Sequence, residues 1–230
     1  MITAIYNSYL FVNNSITYIS IYVYIYMNKN INKDRQMLNS KNSNKRLEST
    51  KKYIDKLQEN NSKLNVVRVD LAYKKPHSND VTLEEATKDL ERMFNNRRSK
   101  PSIFENQVGY VCKKEYTKKR GVHFHAYFFY DGQKVQRSAF KADQIGQYWS
   151  EHITKEKGSY HNCHRTEYKN NGIGMLKYKD EEKRMNLDSA ISYLCKDEQD
   201  IEPIKTNKRD RAFTRGTPPK SKGNMGRPRD

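Results

Sequence analysis

Val108-Gly109-Tyr110-Val111-Cys112-Lys113-Lys114-Glu115-Tyr116-Thr117 and Val122-His123-Phe124-His125-Ala126-Tyr127-Phe128-Phe129-Tyr130 flank a short basic link, Lys118-Lys119-Arg120-Gly121. Both flanks are rich in β-branched and aromatic residues, and a short link containing glycine is a hairpin signal. The second flank is the most apolar strand of the chain. Because side chains alternate along a strand, His123 and His125 project to one face and Phe124 to the other.

Working outward, Leu64-Asn65-Val66-Val67-Arg68-Val69-Asp70-Leu71-Ala72-Tyr73 reads as an earlier strand, at which ordered structure is expected to begin. Lys74 to Asp80 breaks it. Thr82 with Glu85 predicts a capping box, and Leu83, Ala86, Leu90, Met93 and Phe94 then share one helical face. Ser138 to Ile153 predicts another amphipathic helix. Lys157 to Asn171 reads as a Gly/His/Asn-rich loop, Gly172 to Tyr178 as a short strand, and Leu187, Ala190, Ile191 and Leu194 mark a last helix. The expected order is βαββαβα, an α+β fold with an antiparallel sheet.

Residues 63–202 are expected to form that domain. Residues 29–62 read as a polar linker with one weak helix around Tyr53, Ile54 and Leu57, and residues 203–230 as a basic, disordered tail. Residues 1–28 contain no charged side chain and are rich in Ile and Tyr. Asn7, Ser8, Asn13, Asn14, Ser15, Thr17 and Ser20 interrupt any membrane span, and a signal peptide would need a basic start. The segment is expected to lie outside the fold, as translation upstream of Met27 or Met37; a membrane anchor is the alternative.

Lys and Arg outnumber Asp and Glu by 44 to 27, a formal charge of +17. That surplus favours a polyanionic partner, of which nucleic acid is the commonest, although codon bias toward Lys and Asn accounts for part of it. The three cysteines, Cys112, Cys163 and Cys195, have no CxxC spacing, which argues against a disulfide framework and fits a reducing cytoplasm.

Two neutral imidazoles side by side are good ligands for a divalent metal, although two histidines on an exposed sheet face would give the same pattern. Glu115, on the partner strand, completes a His₂-carboxylate set if the register allows; otherwise it is an ordinary surface acid. Such a set with open positions suits Mg²⁺ or Mn²⁺ acting on phosphate, or an iron or zinc centre. Tyr193 and Lys196, at i and i+3 on the last helix, share a face. A tyrosine hydroxyl, with a free pKa of about 10, needs a nearby cation to become a nucleophile. Seventeen tyrosines make a chance YxxK pattern easy. His161, Cys163 and His164 crowd together too closely for a good zinc site. Arg68 and Asp70 either meet substrate phosphate, orient a ligand histidine, or form a structural salt bridge.

The ordered combination of HxH in a strand and YxxK on a later helix resembles the HUH endonuclease superfamily. Gly121 to Gly132, Ile145-Gly146-Gln147-Tyr148-Trp149, Gly172-Ile173-Gly174-Met175 and Ala190 to Lys196 are similar to the rolling-circle replication proteins of filamentous phages (inoviruses) and to YagK/YfjJ-like proteins. The likeness covers Leu64 to Arg229. It implies a palm of the HUH/RRM-like kind with βαββαβ order. It further implies a metal on His123 and His125, with Glu115 as third ligand. Tyr193 would be the nucleophile, leaving a 5′-phosphotyrosine and a 3′-OH primer, with Lys196 steadying the charge. The implied partners are single-stranded or hairpin origin DNA and the host replication machinery, with no stable membrane partner, in the cytoplasm of a bacterial host. The chain departs from two-tyrosine members in having no YxxxY pair.

Arg68, Lys118, Lys119, Arg120, Arg211, Arg215, Arg227 and Arg229 are the candidate DNA contacts. Gly226-Arg227-Pro228-Arg229 resembles an AT-hook core, and a generic polycationic tail is the simpler reading. Two rival functions stay open: a non-catalytic DNA-binding protein of the same fold, such as a degenerate prophage repressor, and a small-molecule metalloenzyme, which fits the ligands but not the charge.

Overall fold

A computed structural model describes residues 41–196 and 201–220. Contacts divide the chain into Met1–Asn44 and Lys45–Asp230, and the fold below belongs to the second unit. The expectations for residues 1–28 and for Arg227 and Arg229 lie outside the described residues. Among the described residues, no helix is long and apolar enough to cross a membrane.

The anticipated hairpin is the centre of the molecule. β2 (Gln107–Thr117) and β3 (Gly121–Asp131) pair antiparallel, and β1 (Lys63–Tyr73) pairs antiparallel with the other side of β3. β4 (Gly158–Asn162) and β5 (Gly174–Lys177) both add to the free edge of β1. β6 (Phe213–Arg215) adds to β2, giving an antiparallel six-stranded sheet with β3 in the middle. Together with the packed helices this is the expected α+β architecture.

Strand alternation divides the core into two layers. On one face Val67, Val69 and Leu71 of β1 and Phe124, Ala126, Phe128 and Tyr130 of β3 are buried. They pack against α2 (Leu83–Asn95), the short α3 (Pro101–Phe104) and α4 (Ser138–Gln147), the last running on into a π-helical turn, Tyr148–Ile153. The Thr82–Glu85 capping box forms as read, and Leu83, Ala86, Leu90 and Met93 are the buried stripe of α2. On the opposite face, Leu64, Val66, Val111, Tyr127 and Phe129 pack against the helical residues 45–60 (α1) and α5 (Glu181–Cys195). Burying apolar surface on both faces explains why β3 reads as an almost continuous hydrophobic run.

Three expectations need correction. Order begins before Leu64: in α1, Tyr53, Ile54 and Leu57 are fully buried, and the Tyr53 hydroxyl accepts the Tyr110 N–H at 3.1 Å. Part of the loop from Lys157 to Asn171 is strand β4, followed by a 3₁₀ turn, Cys163–Arg165. The segment read as a disordered tail is ordered in its first half, where Ala212 is buried and β6 extends the sheet.

Candidate metal centre

The register of β2 on β3 sets Glu115 directly opposite His123 and Lys113 opposite His125, while β1 sets Asp70 opposite His125 from the other side. Paired residues in an antiparallel ladder share a face, so five polar side chains converge on one patch of sheet. Their face is the one covered further along by α1 and α5. Ligand atoms of Glu115, His123 and His125 all lie within 4.8 Å of one another, and no other group of this kind occurs among the described residues.

Each ligand candidate is held by a neighbour. His123 is fully buried, and its Nδ1 donates to the Gly121 carbonyl at 3.0 Å. That contact fixes the tautomer, because a carbonyl can only accept. Nε2, buried and without a hydrogen-bond partner, is left open to a proton or a cation. A buried imidazole nitrogen with no partner is costly unless a cation or proton occupies it, so the donor set fits a metal. Gly121 must keep its place: its φ is +65°, and an added Cβ would come within 1.9 Å of the Ser78 carbonyl.

His125 Nδ1 lies 2.8 Å from Asp70 Oδ1, close enough for an ion pair although off the line of a good hydrogen bond. Its Nε2 is 3.2 Å from Glu115 Oε2. Burial alone would lower the His125 pKa, but the two carboxylates outweigh it and raise it to about 9. Glu115 is nearly buried, yet the contacts from His123, His125 and Lys113 hold its carboxyl well below the usual carboxylate range. Asp70 is held low in the same way, its desolvation offset by His125 and Arg68. A ring with a carboxylate behind its Nδ1 and its Nε2 turned to the other ligand candidates matches the usual carboxylate–histidine–metal arrangement.

Arg68 supports Asp70 at 3.3 Å from its Nε, with its guanidinium over the rings of Tyr127 and Tyr168. Its side chain is only 22% exposed, so its charge is spent within the protein rather than presented to a phosphate backbone.

A family model described as the YagK/YfjJ C-terminal domain matches residues 26–216. The chain belongs to this family. No curated protein and no solved structure matches the chain. The family match bears out the YagK/YfjJ part of the resemblance, and the match covers the whole metal centre.

In this YagK/YfjJ chain Tyr193 lies on α5 and is 63% exposed, while Leu187, Ile191 and Leu194 bury the other side of the helix. Lys196 is the C-cap rather than a helical residue, and its ammonium sits 5.6 Å from the centre of the Tyr193 ring. Lys118, Lys119 and Arg120 are exposed at the hairpin turn, and Arg211 is exposed. Arg215 instead donates to Ser49 Oγ at 2.7 Å and stacks over Tyr53, a structural role.

The second His/Cys cluster does not assemble. His164 Nε2 accepts the Arg68 backbone N–H at 3.3 Å, and burial, with Lys183 nearby, lowers its pKa to about 4. His161 Nε2 lies 2.9 Å from Thr166 Oγ1. Lys113 is the residue that sequence reading missed. It is fully buried, 2.8 Å from Glu115 Oε1, and donates to the Lys196 carbonyl at 2.6 Å. A lysine alternating in phase with Glu115 on β2 was the available signal.

Proposed function

We propose that the chain is an HUH-type endonuclease that starts rolling-circle DNA replication by metal-assisted nicking of single-stranded or hairpin origin DNA. The observation that carries this reading is the Glu115–His123–His125 group on the central strands, with a buried, partnerless His123 Nε2 at its heart. The charge of +17 favours a nucleic-acid substrate over a small molecule.

In this reading Tyr193 Oη attacks the scissile phosphorus, forming an O–P bond as the P–O3′ bond breaks. The products are a 5′-phosphotyrosine and a free 3′-OH, with the tyrosine proton passing to solvent and the leaving 3′ oxygen taking one up. Mg²⁺ or Mn²⁺ held by His123, His125 and Glu115 would polarise the phosphate. The chain's own residues prepare that state. Gly121 fixes the His123 tautomer, Asp70 aims His125, and Lys113 leaves Glu115 one oxygen free. Lys196, over the Tyr193 ring, would steady the negative charge of the phosphate as it is attacked. The exposure of Tyr193 leaves it open to a DNA strand.

The test is cleavage of labelled single-stranded oligonucleotides tiled across the genetic element that encodes the chain, with Mn²⁺ or with chelator. Site-specific, metal-dependent cleavage that is lost in His123→Ala and His125→Ala supports the reading. Cleavage that persists in both variants, or tight DNA binding without cleavage anywhere on the element, refutes it.

A further inference from the structure

A charged lysine ammonium is rarely found fully buried, and Lys113 is 1% exposed in the middle of β2. Two groups receive it, one a neighbour on β2 and the other far along the chain. One is Glu115 Oε1 at 2.8 Å, the carboxylate of the metal centre. The other is the carbonyl of Lys196 at 2.6 Å, the C-cap of α5. Lys196 in turn returns its own N–H to the Tyr193 carbonyl at 3.2 Å. A short chain of charge-assisted contacts thus runs from the metal carboxylate to the turn of helix that holds Tyr193.

The chemistry of this link is specific. By occupying Oε1, the ammonium leaves Oε2, 3.2 Å from His125 Nε2 and 3.5 Å from His123 Nε2, facing the ligand cluster. It also places a fixed positive charge beside a divalent cation, which opposes metal binding. A residue present only to tighten the centre would not be a cation. Helix ends fray because their last carbonyls lack partners; here the last helical carbonyl, that of Cys195, accepts from Arg46 Nη1 at 2.9 Å, and the carbonyl of the C-cap Lys196 just beyond it accepts from the Lys113 ammonium.

We infer that Lys113 is a positioning residue that couples occupancy of the metal centre to the placement of Tyr193. The meaning of this coupling rests on the nicking reading above, but the coupling itself does not. When Glu115 Oε2 is engaged, Oε1 holds the ammonium in one place, and the ammonium holds the end of α5. Without the cation Glu115 is freer to turn, and the helix end loosens with it. Lys113 therefore trades metal affinity for a nucleophile that is in place only when metal is.

Hydrogen exchange of the full chain with and without Mn²⁺, and no DNA, tests this. In the wild type, Mn²⁺ should slow exchange of the amides of residues 194–196 about fivefold or more, the usual scale of coupling between two sites. Lys113→Met, which keeps the length but not the charge, should abolish that protection while binding Mn²⁺ roughly tenfold more tightly. A lysine that only cements the fold would weaken Mn²⁺ binding when replaced, or leave the protection intact, and either result overturns the inference. So does a wild type whose helix end is indifferent to Mn²⁺. If Lys113→Met does not fold, Lys113→Gln, too short to bridge both partners, gives the same readout. Protection that vanishes in the variant, in a protein that never cleaves DNA, upholds the coupling and removes the nicking reading instead.

Discussion

Asp70→Asn separates two opposing effects of one carboxylate on metal binding. Asp70 orients His125 from 2.8 Å behind the ring, and removing such a partner typically weakens a metal site about 10- to 100-fold. Arg68, left without its carboxylate, pushes the loss toward the upper end of that range. Asp70 and Glu115 together raise the His125 pKa to about 9, so at pH 7.5 a metal must displace a proton. The displacement weakens apparent affinity by about 1.5 log units, roughly 30-fold. The asparagine variant removes the Asp70 share of that rise and relieves part of the competition. The two effects therefore oppose each other at pH 7.5, leaving the variant closer to the wild type there than at higher pH. By pH 9 the competition in the wild type has shrunk to about twofold, and the variant should bind about 5- to 50-fold more weakly. Anaerobic Mn²⁺ titrations of both proteins at pH 6.5, 7.5 and 9 measure this. A gap that narrows as pH rises, or equal affinity at pH 9, would refute the role assigned to Asp70.

The same proton sets the stability of the metal-free protein. Because the folded-state pKa of His125 is raised to about 9, the stabilisation is complete below about pH 6.5 and is lost as pH climbs through 9. Unfolding free energies from urea titration of chelator-treated protein should therefore fall over that window by on the order of 3 kcal/mol, and Asp70→Asn should flatten the decline. Leu57→Ala should cost about 2–5 kcal/mol in the same assay, because α1 contributes a fully buried leucine to the core; a linker residue would cost almost nothing. Gly121→Ala should both destabilise the fold and weaken Mn²⁺ binding, since the added methyl strains a left-handed turn whose carbonyl fixes His123. Mn²⁺ affinity unchanged in a destabilised Gly121→Ala protein would separate the turn from the metal site.

The centre of the fold was readable because local rules and long-range pairing agree there. The β2–β3 hairpin is set by a four-residue basic link, so its register follows from nearby sequence, and Glu115 does fall opposite His123. Asp70 is different. Alternation put it on one face with Arg68, but its place behind His125 depends on the pairing of β1 with β3, and the two are separated by more than fifty residues of chain. β4 escaped notice because Gly158-Ser159-Tyr160-His161-Asn162 is an edge strand with little apolar alternation. β6 is only three residues long, set in a basic stretch whose composition pointed to solvent. In α1 the buried residues, Tyr53, Ile54 and Leu57, are few and set in a Lys/Asn-rich background. They become core only when the sheet supplies their other side. Lys113 was easy to pass over for the opposite reason: its phase with Glu115 puts it on the same face, but a charged residue next to another lysine reads as surface, and only tertiary partners allow its burial.

The most direct measurement is the intact mass and peptide map of the protein after incubation with Mn²⁺ and single-stranded DNA from its genetic element. The account predicts a covalent DNA adduct on the peptide containing Tyr193, dependent on metal, absent in Tyr193→Phe, with DNA binding retained in that variant. An adduct mapping to another residue, such as Tyr178, or one that survives Tyr193→Phe, would contradict it.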